Sequence, residues 1–240
     1  VGCINNTGLV EVPMGITLKE IIYDIGGGVP EGRELKAVQT GGPSGGFIPA
    51  TMLEMRVDFD SLTEAGSMMG SGGMIVLDQN SCMVDVARYY INFLIDESCG
   101  KCTPCREGLY AMNNILLKIC QGKGTEEDIK LLEELASTTA ETSLCQLGAT
   151  APNPVLSSLR YFREEYEEHI RDKKCRAGIC KNLITYSINE SCTGCTACVK
   201  PCPTEAITGE VKKLHSIDDG KCIKCGVCFE VCKFNSVEVL

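Results

Sequence analysis

Between residues 80 and 172 the apolar positions recur with helical spacing. Met83, Val84, Ala87, Tyr90, Ile91, Leu94 and Ile95 form one stripe behind Ser81, a residue suited to an N-cap. Leu109, Met112, Ile115, Leu116 and Ile119 mark a second helix over about 107–121, stopped by Gly122 and Gly124. Thr125 opens a third, with Glu126, Glu127 and Asp128 in the first turn, where the helix dipole favours acids. Asn153–Pro154, an N-cap followed by proline, opens a fourth that runs to about Asp172. Four amphipathic helices with short connections predict a bundle.

The pattern before residue 78 is different. Leu9 to Val12, Leu35 to Val38, Met52 to Val57 and Met74 to Leu77 read as strands. Thr17 and Glu20 form a capping box for a short helix carrying Ile21, Ile22 and Ile25, closed by Gly26–Gly28. Strands around one short helix predict a β-grasp-like unit. After residue 189 the periodicity gives way to cysteine spacing. The chain reads as multidomain α+β, with a β-grasp-like unit at 1–78, a helical domain at 79–172, a linker at 173–188 and a cysteine-rich lobe at 189–240.

Composition narrows the setting. The 240 residues include 17 cysteines, 25 glycines and no tryptophan. The cysteine count is odd, no signal peptide is seen and most cysteines cluster at metal spacings, which predicts a reducing, cytoplasmic setting rather than a disulfide scaffold. The formal net charge of −9, with no basic stripe, argues against nucleic-acid binding. No apolar run approaches the roughly 20 residues of a membrane-spanning helix. The chain begins with Val1 and enters strand-like sequence at once, as expected of a fragment of a longer protein.

Cys192, Cys195, Cys198 and Cys202 form C-x2-C-x2-C-x3-C, and Cys222, Cys225, Cys228 and Cys232 repeat it. This spacing predicts two [4Fe–4S] cubanes with crossed ligation, one on Cys192, Cys195, Cys198 and Cys232, the other on Cys202, Cys222, Cys225 and Cys228. Pro203 follows the first run and Lys233 the second. The competing reading, a zinc in each run, fits less well, because zinc sites use paired knuckles rather than four cysteines within eleven residues. A third set is Cys99, Cys102 and Cys105 at the junction of the first two helices. Cys145, between helices three and four, can reach them if both loops share one end of the bundle. The competitor for fourth ligand, Cys120, lies on an apolar helix face and reads as a small core residue. Lys101 and Arg106 would offset the charge of that cluster.

The string Glu97-Ser-Cys-Gly-Lys-Cys-Thr-Pro-Cys-Arg-Glu-Gly108, with Ser143-Leu-Cys-Gln-Leu-Gly148 after it, resembles the flavoprotein subunit of NADH dehydrogenases. With a two-cluster ferredoxin lobe appended, the chain is most similar to the β subunit of soluble NAD(P)-linked, including electron-bifurcating, [FeFe]-hydrogenases. The resemblance covers essentially the whole chain, and places Gly41-Gly-Pro-Ser-Gly-Gly46 in that family's SLBB domain, the β-grasp unit. It implies electron transfer through three [4Fe–4S] clusters to partner redox subunits or ferredoxin. It also implies FMN and NAD(P) in the parent protein, in a domain whose glycine-rich flavin motif this sequence lacks. No catalytic residue can be assigned here.

Cys82, His169, Cys175 and Cys180 make a further set with zinc-type ligands, able to meet if the bundle is antiparallel. The hydrogenase-type relatives raise the expectation of a structural zinc there; a Cys175–Cys180 disulfide and plain buried thiols are the alternatives. Cys3 reads as a simple thiol and His215 as a solvated loop residue. Gly41–Gly46 and Gly70–Gly73 lack the P-loop and dinucleotide-binding patterns and read as close backbone approaches. Two other functions compete with the electron conduit: a zinc-stabilised interaction module, and a lobe whose clusters serve only docking.

Overall fold

The structure, a computed structural model, describes all 240 residues. Its first part is a three-stranded antiparallel sheet of β1 (Leu35–Thr40), β2 (Phe47–Pro49) and β3 (Met74–Asp78), in the order β2-β1-β3. Val38 pairs with Ile48 on one side and Val76 on the other. Thr17 and Glu20 do exchange hydrogen bonds as a capping box, and the short helix they open is a π-helical turn over Glu20–Ile25. Leu18, Ile22, Val38, Ile48, Leu62 and Val76 close the small core beneath it.

Two strand expectations fail. Leu9 to Val12 forms no strand, and Leu9 and Val10 lie exposed with no sheet to join. Met52 to Val57 contributes only an isolated bridge between Arg56 and Thr17. The sheet instead takes Phe47–Pro49, whose three residues are all buried and so show no alternation. Between β2 and β3 lies α1 (Phe59–Glu64), capped by the Asp58 side chain on the Ser61 N–H.

The bundle consists of α2 (Met83–Glu97), α3 (Thr103–Cys120), α4 (Glu126–Thr142) and α6 (Asn153–Arg171), with the short α5 (Gln146–Thr150) before α6. The long helices pack mainly in the cycle α2, α3, α4, α6, with a smaller contact between α3 and α6 across it. Residues of the two predicted stripes, Ile91, Leu94, Leu109, Met112, Leu116 and Ile119, share one core, which Ile129 and Leu132 of α4 join. The residue preceding α2 is Cys82, not Ser81, and α3 starts at Thr103, a turn earlier than expected, because Pro104 sits favourably in its first turn. The Thr125–Asp128 capping box of α4 is present. No helix is long and apolar enough to cross a membrane.

Sheet and bundle are joined through shared residues. Ala37, Phe47 and Leu77 of the sheet pack with Met83, Ala87 and Tyr90 of α2. The glycine-rich loop touches the bundle directly: Asn153 Nδ2 donates to the Ser44 carbonyl and the Phe47 N–H to Ser157 Oγ. A Cβ at Gly46 would strike the Gly66 backbone, so that approach requires glycine. Deeper in, Lys36 of β1 forms an ion pair with Glu165 of α6, both nearly buried. The other Glu165 oxygen accepts the Met83 N–H at the start of α2.

The last part holds α7 (Val227–Val231) and two two-stranded sheets. β4 (Tyr186–Ile188) pairs with β7 (Val237–Val239), and β5 (Ile207–Thr208) with β6 (Ser216–Ile217). Its buried apolar cluster is small, Ile207, Cys228 and Val237, with half-buried Tyr186, Ile188, Val199 and Ile217 packed against it and Ala206 buried nearby in sequence.

Lys36→Met would strand a buried carboxylate at Glu165, and breaking such a pair from one side costs about 3–5 kcal/mol. Urea unfolding of the Lys36→Met chain should show that loss; a midpoint equal to wild type would mean that the pair does not join sheet to bundle.

Candidate metal centres

The cysteine-rich lobe repeats its backbone as well as its cysteines. Gly194 and Lys224, Thr196 and Gly226, and Glu205 and Asn235 all take positive φ, and each pair is thirty residues apart. Left-handed backbone is costly for side chains other than glycine, and four of these six residues are not glycine. Such turns aim successive N–H groups into a concavity. The Ala206 N–H donates to Cys202 Sγ and the Ser236 N–H to Cys232 Sγ, both at 3.3 Å. Burial alone would raise the Cys202 thiol, but backbone hydrogen bonds from Thr204 and Ala206 outweigh it and hold the thiol below its ordinary value. Cys232 follows the same balance through Ser236 and Phe234.

The two runs interleave around two small cavities. One is lined by Cys192, Cys195, Cys198 and Cys232, the other by Cys202, Cys222, Cys225 and Cys228. Ile188 and Val237 wall the first, and Ile207, Ile217 and Ile223 the second. Burial, then repulsion from Cys192, Cys195 and Cys232, raises Cys198. Burial, with repulsion from Cys222 and Cys225, pushes Cys228 up to about 11. A cation at each centre would relieve that repulsion.

In the bundle, the loop between α2 and α3 meets the loop between α4 and α5. Cys105 is buried at the start of α3, while Cys99 and Cys145 are exposed. Burial raises the Cys105 thiol, Ser98 opposes this through a 3.3 Å hydrogen bond, and Cys102, Cys145 and Cys99 add repulsion. Cys102 is lowered by hydrogen bonds from the backbone of Leu144 and Cys105. Gly148 lets the second loop close: a Cβ there would meet the Ser143 side chain and come within 3.1 Å of Cys105 Cβ.

The fourth group is the tightest. The donor atoms of Cys82, His169, Cys175 and Cys180 all lie within 4.8 Å of one another, and all four residues are buried. Cys82 Sγ is 3.3 Å from His169 Nε2 and 3.8 Å from Cys180 Sγ. His169 Nδ1 donates to the Glu165 carbonyl at 2.6 Å, which leaves Nε2 as a lone pair aimed at the thiols. Hydrogen bonds from Cys180 and Cys82 hold Cys175 below the ordinary thiol range. Glu165 thus supports the group twice, through its carbonyl to His169 and through its carboxylate to the residue after Cys82.

His215 corrects the sequence reading. It is buried, not solvated, and lines the cavity of Cys192, Cys195, Cys198 and Cys232. Cys120 is buried in the bundle core, as its helix face implied, and the same core holds Cys180. Cys3 joins no cysteine group; burial and then the nearby Asp78 carboxylate raise it.

Residues 85–169 match the NADH-ubiquinone oxidoreductase-F iron-sulfur binding region, and residues 191–237 match the 4Fe-4S dicluster domain. The NADP-reducing hydrogenase subunit HndC of Solidesulfovibrio fructosivorans is 52% identical over 237 residues, 98% of this chain and 48% of that protein. An NADH-quinone oxidoreductase subunit of Rhizobium meliloti is 44% identical over 72% of this chain and 41% of its own length. The chain is homologous to the C-terminal part of these hydrogenase and NADH-quinone oxidoreductase subunits. It spans about half or less of the length of these two relatives. A solved NAD+-reducing [NiFe]-hydrogenase in its H2-reduced state superposes on 71% of this chain and 28% of its own, with a TM-score of 0.63 and 29% identity. As in those homologues, the 4Fe-4S domains of the chain support a role in electron transfer.

The repeated left-handed positions yield a paired expectation. Thr196 is β-branched at φ +64, and its counterpart thirty residues on is Gly226 at φ +82. Thr196→Gly should be neutral or stabilising, whereas Gly226→Thr should cost more than about 1 kcal/mol. Thermal melts of the two variants check this; equal effects would contradict the backbone repeat.

Proposed function

We propose that this chain conducts electrons through three [4Fe–4S] clusters, as part of a flavoprotein subunit of an NADH dehydrogenase or NAD(P)-linked hydrogenase. In that reading FMN and the NAD(P)H site belong to the rest of the parent protein, and the far end of the relay meets another redox subunit or ferredoxin. The observation that carries the proposal is the pair of cavities, each lined by four cysteines drawn from both runs. Twelve cysteines then ligate: Cys99, Cys102, Cys105 and Cys145 in the bundle; Cys192, Cys195, Cys198 and Cys232; and Cys202, Cys222, Cys225 and Cys228. Cubane clusters supply one-electron storage and release when bound.

The protein's own contribution is placement and dielectric. Apolar walls at Ile188, Val237, Ile207 and Ile217 back two of the sites, which Cys195 and Cys225 open to the surface, and backbone N–H groups at Ala206 and Ser236 offset thiolate charge. The exposed Cys99 and Cys145 put an edge of the bundle site at the surface, where a neighbouring domain can exchange electrons with it. The sheet unit is the SLBB-type β-grasp of that family and serves as the joint to such a neighbour.

Cys82, His169, Cys175 and Cys180 hold zinc in the same reading. Bonds of about 2.3 Å to sulfur and 2.0–2.1 Å to nitrogen in a tetrahedron separate ligand atoms by roughly 3.5–3.8 Å. The separations of 3.3 and 3.8 Å fit that ion. With four protein ligands and no open position, the site is structural. It ties the start of α2 and the end of α6 to the strap that leads into β4.

Anaerobically reconstituted protein should contain about twelve irons and twelve sulfides, four of each per cubane, and about one zinc. Cys145→Ser should remove or alter the bundle cluster alone, and Cys232→Ser the cluster on Cys192, Cys195 and Cys198, as read by EPR of the reduced protein. A colourless protein binding zinc only would overturn the conduit. Damage by Cys232→Ser to the Cys222–Cys228 cluster would overturn the crossed ligation.

A further inference from the structure

Among residues 189–240, His215 is the one buried titratable side chain outside the cysteine sets. Its ring shares the cavity of Cys192, Cys195, Cys198 and Cys232. Nδ1 lies 3.0 Å from the Lys213 carbonyl oxygen and 3.9 Å from Cys192 Sγ. A carbonyl only accepts, so Nδ1 carries the hydrogen and donates it to that oxygen, with the sulfur as the next nearest acceptor. Nε2 is buried without any partner. A ring that only filled space would incur that desolvation for nothing, since an apolar residue of similar size would avoid it.

The ring is also clamped. A Cβ at Gly209 would come within 2.6 Å of His215 Cγ, so glycine is what lets the chain pass there. The Lys212 N–H donates to the Gly194 carbonyl at 3.0 Å, which fastens the segment before His215 to the first cysteine run. A Cβ at Gly194 would strike the backbone of Lys213, the residue whose carbonyl orients the ring. The second cavity faces Tyr186, Ile217 and Ile223 and has no imidazole. The imidazole therefore distinguishes the first cavity from the second.

We infer that His215 is a positioning residue whose Nδ1–H, held by the Lys213 carbonyl, also presents its positive end to the Cys192 thiolate 3.9 Å away and so raises the reduction potential of the cluster on Cys192, Cys195, Cys198 and Cys232. The inference rests on that cavity holding a cubane, as proposed above. Reduction adds one electron and hence negative charge to the cluster and its thiolates. An N–H dipole beside a ligand sulfur stabilises the reduced form more than the oxidised one. No proton leaves the ring. The donor thus separates the potentials of two otherwise similar sites and makes one of them the preferred resting place for an electron.

The test is an EPR-monitored redox titration of the full chain, reconstituted with iron and sulfide, as wild type, His215→Leu and His215→Asn. His215→Leu should shift the reduced-to-oxidised ratio of one cluster about tenfold toward oxidised at fixed potential, which is about 59 mV for a one-electron couple. His215→Asn, which keeps an N–H near the Nδ1 position, should recover most of that shift, and the other two clusters should not move. Unchanged midpoints in His215→Leu with all clusters loaded would overturn the inference. A second measurement needs no variant. The chain has two histidines, and the other, His169, belongs to the separate Cys82 group. In protein labelled with 15N-histidine, hyperfine spectroscopy of the reduced state should detect a coupled ring nitrogen on one cluster; its absence would overturn the inference. A wild-type chain with no iron-sulfur signal at all would remove the cluster reading itself.

Discussion

Thiols brought together inside a protein repel one another as they ionise, and this chain is organised around that constraint. Four cysteines face each of two cavities in the last fifty residues, and the thiols of Cys198 and Cys228 are raised by burial and by their neighbours. Cys105 carries the same load in the bundle. Convergence of this kind keeps the thiols protonated, and only cations allow them to ionise together. The enclosed apolar core of the C-terminal lobe, Ile207, Cys228 and Val237, is too small to hold some fifty residues together. Metal–thiolate bonds would then be the core of that lobe, and not an addition to it.

The remainder of the molecule serves that arrangement with different means. The bundle has a genuine hydrophobic core, so α2, α3, α4 and α6 can stand without metal and present the loops of Cys99–Cys105 and Cys145 at one end. Glu165 links three parts at once: Lys36 from the sheet, the start of α2, and His169 in the group with Cys82, Cys175 and Cys180. One residue, through its carboxylate and its backbone carbonyl, therefore links the sheet unit to the group that holds the strap leading into the cysteine-rich lobe. Rigid placement of this kind suits a relay, in which the protein fixes distances and polarity while the cofactors carry the charge.

Much of this is legible in the sequence because the informative signals are periodic. The 3.6-residue stripes of Met83–Ile95 and Leu109–Ile119 report helices directly, and a cysteine spacing repeated after thirty residues implies interleaved sets. Short elements are not legible. Phe47–Pro49 has too few residues to show an alternation and is buried on both faces. Leu9–Val12 has strand composition but no neighbouring strand, and Leu9 and Val10 stay exposed. Lys212 and Lys213, just ahead of His215, suggest a solvated loop. The burial of His215 comes instead from Gly209 passing against its ring while Gly194 admits the backbone of Lys212 and Lys213, a tertiary event without a local pattern.

The central claim, that metal–thiolate bonding is the core of the C-terminal lobe, is tested most directly by amide hydrogen exchange before and after anaerobic removal of iron. Protection across residues 189–240 should collapse toward that of an unfolded chain, while α2 and α3 keep most of theirs. Retained protection at β4, β5, β6 and β7 in the iron-free protein would contradict the account.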